Sequence, residues 1–399
     1  MKRIGIRDED KYAMERRSAL TPKHAQALIE KHGIQIDVLS SKKRAFTDKE
    51  FLEKGCNIVD NLDDNRIIFG IKEIPIDKIA SDKTYIIFSH VIKGQAHNMP
   101  MLKKFMEKKC NLIDYECIVD DNNKRLIFFG HYAGLAGTIN TLWAFGLRTA
   151  HLGITTPFKK LRQTHTYFSL DEALETIKEI GKDITTNGLP KELLPLTIGI
   201  TGYGNVSKGA QEILKHLPVI EITPEELLEL KQKATYSDKH IYKIVFYEKH
   251  IAKHKKGAAF DLNEFFTQPA NFTSNFNQYT PHLSILLNCM YWDDRYDRLI
   301  TKDYLADLYS NKNLRLHVIG DITCDPNGSI EFTHMGTEIN DPIFVYHPIT
   351  RQPTFGHKGE GVVVMAVDIL PSELPRDSSN AFADALTPFV NDIASCDFS

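Results

Sequence analysis

LTIGITGYGNVSKGAQEILKHLP spans residues 196–218. It opens on Leu196–Thr201, an apolar run of strand length, and passes directly into glycines at 202 and 204. A stretch with helical spacing of apolar residues follows. Strand, Gly-rich turn and helix in that order form the phosphate-binding part of a dinucleotide site. The first glycine permits the tight turn, and the second lets the backbone approach the pyrophosphate. The helix N-terminus supplies N–H groups without intrahelical partners and the positive end of its dipole. Ser207 stands where the usual pattern has its third glycine, and Gly209 lies two residues on. A small residue still allows close helix–strand packing. The stretch predicts a dinucleotide held on Gly202, Tyr203, Gly204, Asn205, Val206 and Ser207, against the plainer reading of a βα turn that happens to contain glycines.

An acidic residue about 20 positions on, at the tip of the next strand, would bind the ribose hydroxyls. Glu221 is near that place with Thr223 beyond it, which leaves the choice between NAD and NADP open on these residues.

Outward from this turn the chain keeps an α/β rhythm. Val219–Ile222, Ser284–Cys289 and Leu314–Asp321 read as further strands of the same unit. Leu228–Gly257, rich in Lys, His and Glu, reads as a solvated surface excursion. Upstream, Ile4–Arg7, Ile34–Leu39, Arg66–Ile71, Thr84–Phe88 and Asn111–Asp114 read as strands. Thr21-Pro22 opens a helix closed by Gly33, and Thr47 with Glu50 has capping-box spacing before Gly55. Gly130–Gly153 reads as a long apolar helix at the domain crossover, and Asp171–Gly181 as an amphipathic one. The last apolar segment, Gly361–Ile369, and a helix near Ser379–Ile393 are expected to pack back on the first domain. The fold class is therefore α/β, with open parallel sheets. The expected division is a substrate domain of residues 1–135 plus 345–399 and a dinucleotide domain of residues 136–344.

Bulk properties narrow the function. A chain of 399 residues suits two domains and buries ample core, so no metal or disulfide staple is required. A net charge of −3 argues against nucleic acid as partner. Six scattered cysteines without a CxxC pair read as free thiols of a reducing cytoplasm. The charged N-terminus is unlike a signal peptide. Tyr132–Leu147 is too short and too polar for a membrane span.

In open α/β sheets, ligands bind at the carboxyl ends of the strands. Arg17, Lys72, His90 and Glu116 follow strand ends in the first domain, and Asp321 ends LHVIGD in the second. Singly, each has a plain explanation: a solvated cation, a structural histidine, a surface ion pair. Together they predict one cleft facing the dinucleotide. The residue types suit reductive amination. A guanidinium grips a carboxylate through two parallel bonds, and a Lys with a His can move the protons of carbinolamine formation and dehydration. GxSxG, HExxH, a Walker loop and a CxxC metal set are all absent from the sequence.

ERRSALTP (15–22), GIKEIP (70–75), FSHVIKGQ (88–95), LIDYE (112–116), FGHYAGLAG (129–137), TGYGNVSKGAQ (201–211) and GDITCDPNGSIEF (320–332) together resemble lysine–2-oxoglutarate reductase. That enzyme is the reductase half of the bifunctional aminoadipic semialdehyde synthases. It is related to lysine-forming saccharopine dehydrogenases and, more distantly, to alanine dehydrogenase and the transhydrogenase N-terminal region. The resemblance runs in order over nearly the whole chain. It implies two Rossmann-like domains with a cleft between them, the first completed by C-terminal residues. It implies Lys72 and His90 as an acid–base pair, Arg17 as ligand of a substrate carboxylate, Glu116 in contact with the amino-acid substrate, and Asp321 beside the nicotinamide. It also implies NADPH in preference to NADH, no metal, and L-lysine, 2-oxoglutarate and saccharopine as substrates. The sequence stops at Ser399, so the saccharopine-oxidising step is expected from a separate enzyme. Two alternatives stand beside this: an opine or amino-acid dehydrogenase using another amine or oxo acid, and a non-catalytic dinucleotide-binding regulator. Retention of both Lys72 and His90 argues against the regulator. Oligomeric state is left open.

Overall fold

The computed structural model describes residues 2–234 and 236–398. Its contacts fall into two units: residues up to Phe129 together with those from Leu374 onward, and residues 130–373.

In the first unit, β1 (Arg3–Ile6), α1 (Pro22–His32), β2 (Gln35–Leu39), α2 (Asp48–Leu52), β3 (Asn57–Val59), β4 (Ile67–Phe69), β5 (Thr84–Ile87), α3 (Met99–Glu107) and β6 (Asn111–Asp114) follow in order. The strands form one sheet in the order β3-β2-β1-β4-β5-β6. Every pairing in it is parallel. Strands of such sheets are covered on both faces, and IIF of β4 and TYII of β5 are accordingly buried throughout. Local signals hold at the helix ends. Thr47 and Glu50 form the capping box of α2, and Gly33 ends α1 in the left-handed conformation. Thr21 precedes α1 as expected, but its hydroxyl bonds His24 Nδ1 at 2.7 Å instead of a backbone amide.

The second unit contains α4 (Gly130–His151), α5 (Leu170–Asn187), β7 (Thr197–Thr201), α6 (Asn205–Leu214), β8 (Val219–Glu221), α7 (Pro224–Lys233), β9 (Ile241–Phe246), α8 (Glu248–Ile251), β10 (Ala252–His254), α9 (Leu262–Thr267), β11 (Phe272–Ser274), β12 (Ile285–Asn288), α10 (Lys302–Ser310), β13 (Val318–Asp321), β14 (Ile343–Tyr346), β15 (Pro353–Phe355) and β16 (Val362–Met365). Its main sheet has the order β15-β14-β16-β13-β12-β7-β9-β8. The pairings from β16 across to β8 are parallel, and β14 runs antiparallel to both its neighbours.

Three sequence expectations are corrected here. Residues 345–373 belong to the second unit, because β16 pairs with β13 and carries β14 and β15 with it. The crossover falls at 129/130, where α4 starts, and not at 135/136. The supposed surface excursion 228–257 contains β9, which is buried at every position and lies directly against β7. A lysine can occupy that strand because Lys243 Nζ reaches Glu221 Oε2 at 2.6 Å and Gln211 Oε1 at 3.0 Å.

The chain then returns to the first unit as α11 (Pro375–Ser395). Phe382, Ala383, Leu386 and Val390 join a core built on Ile4, Ile36, Phe69, Ile86 and Tyr115. His24 Nε2 lies 2.7 Å from Asp384 Oδ1 and ties α1 to α11. Among the described residues no helix is long and apolar enough to cross a membrane, and the six cysteines are free thiols.

Candidate active site

At the turn of the second unit, Gly202 has φ +80° and donates its N–H to the Phe246 carbonyl at 2.9 Å. A side chain there would be strained by the backbone and pressed on Met290. Gly204 differs. A Cβ on it would meet nothing within 4 Å, so the protein's own packing does not require glycine at 204. The open space suits a pyrophosphate. The first intrahelical bond of α6 runs from Lys208 N to Gly204 O at 2.9 Å, so the amides of Asn205, Val206 and Ser207 lack intrahelical acceptors. Ser207 is fully buried. The close approach expected of a third glycine falls to Gly209, where a Cβ would collide with the His131 carbonyl on α4. The residues present thus fit a dinucleotide.

Asp321 ends β13 and is almost completely buried. It accepts hydrogen bonds from Asn288 Nδ2 at 2.8 Å, from Thr323 Oγ1 at 2.9 Å and from Thr333 Oγ1. Asn288 in turn accepts from Thr201 Oγ1 at 2.8 Å. This network fastens together the carboxyl ends of β7, β12 and β13. Burial pushes the Asp321 carboxyl above its ordinary value, and the three donors oppose that shift.

In the first unit, His90 follows β5 with φ +56°, a left-handed conformation uncommon for a non-glycine residue. Its Nδ1 lies 3.0 Å from Glu116 Oε2, and its ring stacks on Phe88. Glu116 is buried and also meets Arg125 at 2.7 Å and Lys93 at 3.5 Å through Oε1. Burial, the largest influence, pushes the Glu116 carboxyl up. The His90 hydrogen bond and the charges of His90, Lys93 and Arg125 outweigh it and bring the group to about 2.

Arg17 is buried, with Nε 2.8 Å from Glu15 Oε1 and Nη2 2.5 Å from Oε2. That edge of the guanidinium is engaged, and a substrate carboxylate would have to meet another. The guanidinium carbon sits 4.2 Å from the centroid of the Phe129 ring. Phe129 neighbours Phe88 at 6.0 Å, so two aromatic rings link Arg17 to His90. Lys72 is connected differently. Its backbone N–H and that of Ile71 donate to the buried Glu9 carboxylate at 2.9 and 2.7 Å. Burial raises Glu9 despite Arg7, and Glu15 raises it further.

The structure thus joins His90 and Glu116 directly, brings Arg17 near them through the rings, and attaches the Lys72 loop to Glu9. Glu9, Glu15, Lys93 and Arg125 were not singled out in the sequence. Only Glu15 carried a signal, its place two residues before Arg17.

Comparisons with known proteins bear on the family and the fold. Residues 5–136 match the family described as alanine dehydrogenase/PNT, N-terminal domain. The chain is 39% identical over 408 residues to alpha-aminoadipic semialdehyde synthase of Arabidopsis thaliana, covering 98% of this chain and 38% of that protein. It is 35% identical over 410 residues to the mitochondrial alpha-aminoadipic semialdehyde synthase of Rattus norvegicus, covering 99% and 44%. The chain therefore spans about two-fifths of the length of these relatives. Saccharopine dehydrogenase [NAD(+), L-lysine-forming] of Yarrowia lipolytica is 28% identical, with 97% of this chain and 90% of that one covered. Among solved structures an L-alanine dehydrogenase aligns with a TM-score of 0.61 at 17% identity, over 98% of this chain and 90% of that one, a likeness of fold.

Proposed function

Because this chain is a homologue of the alpha-aminoadipic semialdehyde synthases and the saccharopine dehydrogenases, we propose that it is a nicotinamide-dependent oxidoreductase joining L-lysine to 2-oxoglutarate, giving saccharopine, or running the reverse. The observation that carries this reading is the His90–Glu116 pair at the end of β5.

When bound, the dinucleotide supplies a hydride to the imine carbon; NADPH is the form that resemblance alone implies. The protein's residues handle protons and charge. The lysine side-chain amine must lose a proton as it attacks the keto carbon, and the carbinolamine hydroxyl must gain one as it leaves as water. His90 and Lys72 divide these transfers in this reading. Glu116 orients the His90 ring through the contact at Nδ1. The resemblance also gives Glu116 contact with the amino-acid substrate, but its contacts with His90, Lys93 and Arg125 favour the orienting role. Arg17 would receive a substrate carboxylate on the guanidinium edge that Glu15 leaves. Asp321, fixed across three strand ends, belongs to the nicotinamide side of this reading. The free thiols suit the cytoplasmic setting expected from the sequence.

The test follows absorbance of the reduced nicotinamide with lysine and 2-oxoglutarate, and then with alanine, ornithine, pyruvate and oxaloacetate substituted singly. Turnover confined to lysine with 2-oxoglutarate is expected. Faster turnover with another pair would make the chain an opine or amino-acid dehydrogenase. No turnover with any pair, in protein that binds the dinucleotide, would favour the regulator.

A further inference from the structure

The strand beside β7 is β9, and β8 lies one place further out at the edge of the sheet. In the register of the two inner strands Thr201 pairs with Phe246. The Gly202 amide extends that ladder by donating to the Phe246 carbonyl. The residues that flank the Gly turn are therefore those just past β9, Tyr247 and Glu248. Three observations fix this corner. The rings of Tyr203 and Tyr247 stack with centroids 5.0 Å apart at 28°. Tyr247 donates its N–H to His250 Nδ1 at 3.0 Å. The charge of Glu248, close by the Tyr203 hydroxyl, raises the phenol above its ordinary value.

Glu221, the residue that sequence spacing favours, is elsewhere. It pairs in register with Lys243, three residues before Phe246 along β9. That places it about 10 Å short of the carboxyl edge, and its strand is a further ~4.8 Å out. Its carboxylate is held 2.6 Å from Lys243 Nζ.

We propose that Glu248 is the carboxylate that receives the adenosine ribose diol, and that it makes the chain prefer NADH to NADPH. The proposal rests on the reading of Gly202–Ser207 as the dinucleotide turn. A carboxylate has two oxygens for the two ribose hydroxyl donors. It has no donor for a 2′-phosphate, whose charge it repels. The Gly202–Phe246 hydrogen bond and the Tyr203–Tyr247 stack tie the end of β9 to the turn and so set that carboxylate beside the place where the backbone approaches the pyrophosphate. The preference is opposite to the one the family resemblance implies.

The experiment titrates the full chain with NADH and with NADPH separately and follows nucleotide fluorescence. Wild type should bind NADH at least about tenfold more tightly than NADPH. Glu248→Ser should shrink that ratio, and Glu248→Arg should invert it. Glu221→Gln should leave the ratio within about twofold. Wild type binding NADPH as tightly as NADH, or a ratio that moves with Glu221 and not with Glu248, overturns the assignment while leaving the turn in place. Binding of neither nucleotide overturns the turn itself, and Glu248 falls with it.

Discussion

His90 Nδ1 sits 3.0 Å from Glu116 Oε2, and the histidine is held there with a left-handed backbone. Such a conformation costs on the order of 1 kcal/mol and persists only where the surroundings dictate it. His90→Asn keeps a residue type that tolerates this backbone. It should leave the protein folded while lowering kcat about 100-fold or more. Retained activity in the folded variant would remove His90 from the proton transfers.

Glu116 links pH to stability. Its folded carboxyl titrates at about 2, below the ordinary value of 4.5. A group depressed in the folded state contributes stability that is fully present above its unfolded value and lost as pH falls through its folded one. The difference in unfolding free energy between wild type and Glu116→Gln should therefore be constant above pH 6 and shrink between pH 5 and pH 2. Denaturant titrations across that range check it; a difference that grows with acid contradicts the sign.

Arg17 is a structural partner before it is a ligand. Replacing it with Met leaves the buried Glu15 carboxylate without its guanidinium. Removal of one member of a buried pair costs about 3–5 kcal/mol. Removing the charge of Glu15 as well, in Arg17→Met/Glu15→Gln, should restore part of that loss. Calorimetry on the two variants tests this, and equal melting points would show that Glu15 has other support.

The two glycines of the α6 region should fail in different ways. Gly204→Val puts a side chain into open space, so stability should hold while nucleotide affinity falls at least tenfold, about 1.4 kcal/mol. Gly209→Ala drives a methyl into the His131 carbonyl and should lower the melting temperature first. Equal behaviour of the two variants in melting and binding would refute this separation of roles.

Sequence reading succeeded where the cause is local. The turn at 202–207, the capping box at Thr47 and Glu50 and the apolar strands β4 and β5 are each dictated by neighbours in the chain. It failed at β9, because the ammonium of Lys243 is neutralised by Glu221 and Gln211, neither of them a sequence neighbour. It failed again at residues 345–373, whose partner β13 lies far back in the chain. In the candidate site the strand-end residues could be named from order alone. Which of them touch could not, since Arg125, Lys93 and Glu116 meet only once the turns after β5 and β6 are in place.

The final helix sets an order of assembly. Phe382 stacks on Phe129 at 4.7 Å and meets Tyr115 at 5.0 Å and Phe88 at 6.1 Å. Those are the rings beneath Arg17 and His90. During translation residues 1–129 leave the ribosome before residues 130–373, yet their aromatic floor waits for a residue made after the whole of 130–373. The intervening unit is a continuous stretch and can close on its own while the first unit is still incomplete. The nascent chain should therefore acquire the Gly202–Ser207 turn early and the surroundings of Arg17 and His90 last. A stalled chain released before α11 emerges should hold the turn but present an open apolar face to chaperones.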